Sequence, residues 1–289
     1  MATCFRNSML QTAIIKDLKH DIPALIAAVL LVLLVLTALV GPPLMRLMHY
    51  DPLEIDLDHL KEPPSRAHLF GTDSKGRDIL SRVVAGTRIS LTVGIVASFL
   101  SLMIGVFFGL VAGYFGGRTD TVMLQFFDVF LAFPSLLLAI GISAVMQPGL
   151  PSAMLAITLV GWAGFARMVR GITLQLKEQT YVEASRAIGA STARILFRHI
   201  LPNALPLILV AGSLRVGGFI LIEAALSFLG LGVQPPTPTW GSMISQNRSY
   251  INSAPWMVIF PGIAISVTVI AFNILGDYLR DKLDPRFTG

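Results

Sequence analysis

Apolar stretches close to twenty residues long recur from the first fifty residues to the last forty. The hydrocarbon core of a bilayer, about 30 Å thick, takes about 20 such residues to cross as a helix. The first stretch carries VLLVLLVLTALV at residues 29–40. Inside lipid no water satisfies backbone N–H and C=O groups, so runs of this kind must close their hydrogen bonds within helices. Spans are expected at 22–44, 90–114, 121–146, 152–169, 204–229 and 255–279. The expected fold class is an all-α integral membrane protein with six transmembrane helices. Composition agrees: 54% of the 289 residues are hydrophobic and 13% charged, about half the charged share of a soluble domain. The first run is too long for the apolar region of a cleaved leader, and no small-x-small site follows it, so it is expected to stay. The lone cysteine, Cys4, excludes an intrachain disulfide.

Within the spans, small residues and rare polar groups carry the information. The leucine- and valine-rich first span suits a lipid-facing anchor. Gly105, Gly109 and Gly113, with Ser101 one step earlier, form a small-xxx-small stripe that lets a neighbouring helix come close. Pro134 removes a helical hydrogen bond and is expected to bend the third span. A charge at a helix centre costs about 2.5–3.5 kcal/mol on insertion scales. Glu223, Arg215 and Asp128 therefore stand as pathway or gate candidates, with interhelical hydrogen bonding as the plainer reading for Glu223 and interfacial solvation for Asp128.

Outside the spans, residues 45–85 form the longest segment. Gly71-Thr72-Asp73 and Ser74-Lys75-Gly76 read as turns, residues 78–84 as a short surface helix, and the whole as a solvated, charged loop. The proline-rich VQPPTPTWG, 233–241, opens an ordered external loop expected to continue through Asn252. The net charge of +5 would suit nucleic acid, but basic residues in a membrane protein set orientation; no nucleic-acid partner is expected. Lys16, Lys19, Arg118, the 167–198 segment and the C-terminal tail concentrate positive charge on one side of a six-span chain. That side is expected to be cytoplasmic with both termini, although 45–85 is also rich in basic residues. No period of 20–50 residues marks a repeat array.

The longest polar, helix-compatible segment between spans is YVEASRAIGASTARILFRHILPN, 181–203. Helix formers fill its first half, Gly189 permits a turn, and Ser191 can cap a second short helix. Ile195, Leu196 and His199 lie opposite Arg194 and Arg198. Leu201-Pro202 closes the segment, with Pro202 suited to the first turn of the next span. The pattern describes a helix–turn–helix at a membrane surface, apolar side inward.

This segment resembles the EAA loop of ABC-importer permeases: E-A-A, three residues, G, nine residues, I-x-L-P. Glu183, Ala184, Gly189, Leu201 and Pro202 fall at the matching positions, while Ser185 and His199 depart from the pattern. FGTD with GRD, LSR and GTRISL (70–91), FPSLLLAI (133–140), EAALSFLGLG (223–232) and VQPPTPTWG are similar to the second permease subunit of the dipeptide/oligopeptide/nickel branch. The resemblance implies a type I ABC importer permease bundle. Residues 1–85 would hold a cytoplasmic segment, the first helix and an extracytoplasmic loop. Residues 86–289 would hold the permease core, with five helices and a coupling loop at 177–203. It implies a heterodimer with a homologous permease, two ABC ATPase subunits, an extracytoplasmic substrate-binding protein, and a bacterial inner membrane supplying lipid contact. Peptides are the implied solute, with glutathione or nickel complexes as alternatives. The chain has no G-x-x-x-x-G-K-[ST], no HExxH and no Cys/His metal spacing. No catalysis, metal or bound cofactor is therefore expected of it; ATP and Mg2+ would sit on the partner ATPases. A stand-alone secondary transporter or channel, or an anchor without transport, are the readings from other classes.

Overall fold

The computed structural model describes residues 17–283 apart from Lys19, and the regular secondary structure among them is helical apart from one isolated bridge, Thr72 to Asp78. Cys4, Arg6, Lys16, Lys19 and the tail beyond Leu283 lie outside the described residues. The helices are α1 (Ile22–Leu47), α2 (Ile79–Phe115), α3 (Gly117–Ala132), α4 (Ser135–Val145), α5 (Leu150–Lys177) and α6 (Thr180–Ala187). Then come α7 (Thr192–Ile195), a π-helical turn (Leu196–Ile200), α8 (Leu201–Phe228), α9 (Trp240–Asn247) and α10 (Trp256–Leu283). Five helices are long and apolar enough to cross a membrane: α1, α2, α5, the continuous Thr192–Phe228, and α10. The six-span expectation holds when α3 and α4 are taken together as one broken span.

That break departs from the single bent helix expected. α3 and α4 meet at 86°. Pro134 cannot donate to the ladder, and its ring pushes the preceding residue into extended backbone. Phe133 sits at ψ 137° and Pro134 at ψ 126°, outside both helices.

The second span begins eleven residues earlier than expected. No separate surface helix exists at 78–84: the Asp78 carboxylate accepts the Ser81 N–H at 2.7 Å and starts α2, which then runs unbroken past Gly86. The division expected at residue 86 falls inside this helix. Gly86 sits inside it and leaves room for the indole of Trp240, 3.2 Å from where a Cβ would stand. Trp240, fully buried, donates from Nε1 to the Val83 carbonyl at 3.1 Å. It opens α9, a helix where sequence reading gave only loop. Thr239 and Ser242 form a reciprocal capping box at its start.

Packing follows the glycine stripe. A Cβ at Gly105 would stand 2.5 Å from Phe165 Cβ, one at Gly109 2.6 Å from the Ala166 carbonyl, and one at Gly113 2.6 Å from Thr173 Cβ. The backbones of α2 and α5 are thus in direct contact, and Ser101 Oγ donates across to the Thr158 carbonyl at 3.1 Å. α8 lies against α2 and α10. α1 lies at the edge, holding on through Ala27 and Leu31 against Ala271 and its neighbours; Ile26, Val32, Leu36 and Leu39 are exposed, as an anchor's lipid face would be. Asp17 and Lys282 meet at 2.9 Å, so the start of α1 and the end of α10 share one end of the bundle.

At the opposite end, residues 48–78 build a cap and not a solvated loop. Asp73 is 1% exposed. Its carboxylate accepts the Lys75 and Arg77 backbone N–H groups at 2.8 and 3.1 Å and the Arg77 Nε at 2.7 Å, with Arg82 Nε at 3.6 Å. Arg82, equally buried, donates to the Pro52 carbonyl at 2.9 Å. Phe70 stacks on Phe260 with ring centres 3.9 Å apart, and Arg77 reaches Gln246 on α9 at 3.2 Å.

Candidate functional site

The segment after α5 folds as two short helices around a glycine. Gly189 has φ +78°, a left-handed conformation costly to residues with a Cβ. α6 precedes it. After it the Ser191 hydroxyl accepts the Arg194 N–H and starts α7. Val182, Ile195 and Ile200 are fully or almost fully buried against Leu110, Val169 and Ile208. Outward, Glu183, Ala184 and Gly189 are exposed, flanked by two apolar side chains left bare, Ile188 at 86% and Phe197 at 66% exposure. The elbow therefore has a fixed inner side and an outer face with charge, a small-residue patch and unpaired hydrophobes. Ser185 and His199, the two positions that depart from the EAA pattern, face each other with Ser185 Oγ 3.4 Å from His199 Nε2.

Leu201-Pro202 does not end the segment. The helix runs continuously from Thr192 to Phe228. The π-helical turn directly before Leu201 loosens the ladder where Pro202 lacks its N–H, and the Asn203 side-chain amide donates to the His199 carbonyl at 2.6 Å. Leu201 is partly buried and Pro202 exposed.

The same helix carries Arg215 near the middle of its crossing. Arg215 lines a cavity of about 320 Å³ together with Phe130 and Phe133 from the α3–α4 break, Gly164 at the middle of α5, and Gly218 and Phe219. Gly164 makes room: a Cβ there would stand 3.2 Å from Arg215 Nη2. The guanidinium lies over the Phe165 ring at 5.9 Å, and among the described residues no carboxylate is within ion-pair distance of it. Glu223, two turns on, is brought elsewhere. It is fully buried and accepts from Ser90 at 3.2 Å and Ser227 at 2.7 Å, joining α8 to α2. Asp128 is paired with Arg167, and Asp120 takes Arg170 in a two-pronged contact, one arm 2.6 Å long; both pairs fasten α3 to α5. Of the three polar candidates, Arg215 alone faces the cavity.

The family model for the binding-protein-dependent transport system inner membrane component matches residues 105–289. The chain belongs to that family. It is 50% identical over 241 residues to the glutathione transport system permease protein GsiD of Pectobacterium atrosepticum, covering 83% of this chain and 80% of that one. It is 44% identical over 263 residues to the oligopeptide transport system permease protein OppC of Bacillus subtilis, covering 91% and 85%. It is also 44% identical over 271 residues to the dipeptide transport system permease protein DppC of Alkalihalophilus pseudofirmus, covering 94% and 88%. In fold it is similar to a chain from the inward-facing MetNI methionine ABC transporter, with TM-score 0.59 and 21% identity over 71% of this chain and 97% of that one. As a member of the family, the chain is a multi-pass membrane component of a transport system. The expected resemblance and the all-α bundle are borne out. A sharply bent pair of apolar helices, a feature the secondary-transporter reading would favour, is present here in a member of the permease family.

What sequence reading missed is the cavity's third wall. FPSLLLAI marked Pro134 as a bend, but nothing local placed the break opposite Arg215 and Gly164.

Proposed function

We propose that the chain is one of two permease subunits of an ATP-driven importer of peptides. It would pair with a homologous permease, engage two ABC ATPase subunits through residues 177–203, and receive solute from an extracytoplasmic binding protein. The observation that carries this reading is the elbow: an exposed surface turned at Gly189, with bare Ile188 and Phe197, joined to a helix that reaches the mid-span cavity. Glu183, Ala184, Gly189, Leu201 and Pro202 form the coupling element. The elbow and both termini lie in the cytoplasm, and the 48–78 cap and α9 lie outside. ATP-dependent closure of the ATPases shifts the population between inward- and outward-open states. The relatives' names, glutathione, oligopeptide and dipeptide systems, support a peptide solute.

The test uses the assembled complex in proteoliposomes with its binding protein. Gly189→Pro forces φ near −65° where the backbone needs a positive value, and Glu183→Arg reverses the exposed charge. Each is expected to lower peptide uptake at least tenfold while the variant subunit still inserts and is recovered in the membrane. Normal uptake by both variants would overturn the coupling role. Uptake of nickel complexes with no peptide uptake would overturn the solute assignment.

A further inference from the structure

Arg215 presents a charge that nothing else in the described chain neutralises. It is exposed on α8 at the middle of a membrane-crossing helix, and it is the one ionisable group lining a cavity otherwise walled by aromatic, aliphatic and small residues. Two features show that the surroundings are shaped for the guanidinium. Gly164 leaves the space its Nη2 occupies, and Phe165 offers a ring face at 5.9 Å, which holds a cation without consuming its hydrogen-bond donors. Gly218, which lines the same cavity, faces open space, with no atom of another element within 4 Å of where its Cβ would stand. A concave, mainly apolar site of about 320 Å³ with one convergent charged group has the make-up of a small-molecule site. A planar five-donor fork matches a carboxylate two-pronged.

We propose that the Arg215 guanidinium is a mid-membrane binding point for the carboxylate of the solute in transit. This rests on the permease reading above and adds to it the chemical group that is gripped. The apolar walls take the side chains of varied solutes, and the shared carboxylate is what Arg215 reads.

The experiment compares wild type, Arg215→Gln and Arg215→Lys in the full reconstituted complex. Uptake of a dipeptide and of its C-terminally amidated form is measured, both at concentrations that saturate the binding protein, alongside binding-protein-stimulated ATP hydrolysis. Removing a charge from an apolar span does not endanger insertion. The expected result for Arg215→Gln is a loss of roughly tenfold in uptake of the free acid, from one two-pronged charged contact, with a change under twofold for the amide and with ATP hydrolysis retained. Arg215→Lys should recover part of the free-acid uptake. Equal losses for acid and amide would overturn the proposal and point instead to an acidic residue of the sister permease as the partner. Unchanged uptake of both would also overturn it. If the wild-type complex moves no peptide of either kind, the transport reading falls and this inference falls with it.

Discussion

Asp73 shows how much one carboxylate can organise. It sits in the cap, almost without solvent, and receives two backbone N–H groups and the Arg77 side chain, with Arg82 close by. Removing one member of a buried ion cluster leaves the others desolvated and unpaired, at a cost of about 3–5 kcal/mol. Asp73→Ala is therefore expected to lower the thermal unfolding midpoint of the detergent-solubilised subunit clearly. Leu57→Ala, an exposed cap position, should leave it nearly unmoved; equal effects would show that the cluster carries no special weight. The turns around Asp73 were legible in the sequence, since Gly71 and Gly76 both take positive φ as their turn chemistry suggests. The burial was not legible. It depends on Gln246 and Trp256, which approach from nearly two hundred residues away. Charge-rich composition alone reads as a wet loop.

Helices were legible where their pattern is local and periodic. The glycine stripe of α2 is the clearest instance, because spacing of four fixes a face and small size fixes a close approach. Its partner, α5, had to come from the structure. Gly109 faces the Ala166 carbonyl, Val169 Cβ and the Arg170 N–H within 3.0 Å of a built Cβ. These are mostly backbone atoms that cannot turn aside. Gly109→Ala is expected to cost about 1–3 kcal/mol through forced separation of the two helices. Gly171→Ala, where a Cβ meets nothing within 4 Å, should be neutral or slightly stabilising. Unfolding in mixed micelles separates the two, and equal behaviour would refute the close-contact account. The α3–α4 break and α9 were less legible. A proline signals a bend but not an angle of 86°, and an eight-residue helix such as α9 is held by the burial of Trp240 and Met243 more than by its own propensity.

Taken whole, the molecule has two distinct ends. Asp17 and Lys282 hold the described termini together at one, and Asp73's cluster knits the other. The proposed orientation sets the elbow inside the cell and the cap outside. In a Cys4→Ala background, a single cysteine at Leu57, 71% exposed, should react with a membrane-impermeant maleimide in intact spheroplasts. One at Ile188, 86% exposed, should react only after lysis. The reverse pattern would invert the topology and remove the elbow from any ATPase. Six apolar runs were readable in the sequence, and they make six crossings when α3 and α4 are taken as one broken span. The charge rule behind the proposed orientation is blurred by the basic residues of 45–85, of which Arg77 and Arg82 are committed to pairing with Asp73.

The uninterrupted helix from Thr192 to Phe228 has a mechanical consequence. At 1.5 Å per residue its 37 residues make a shaft about 55 Å long, with the elbow at one tip, Arg215 partway along and Glu223 near the other tip. Thrust delivered at the elbow would run along this shaft through one loosened point, the π-helical turn at Leu196–Ile200. On the proposed reading Arg215 and Glu223, carried by one helix, travel on the same stroke, so that the hold on solute and the Glu223–Ser90 join to α2 change together.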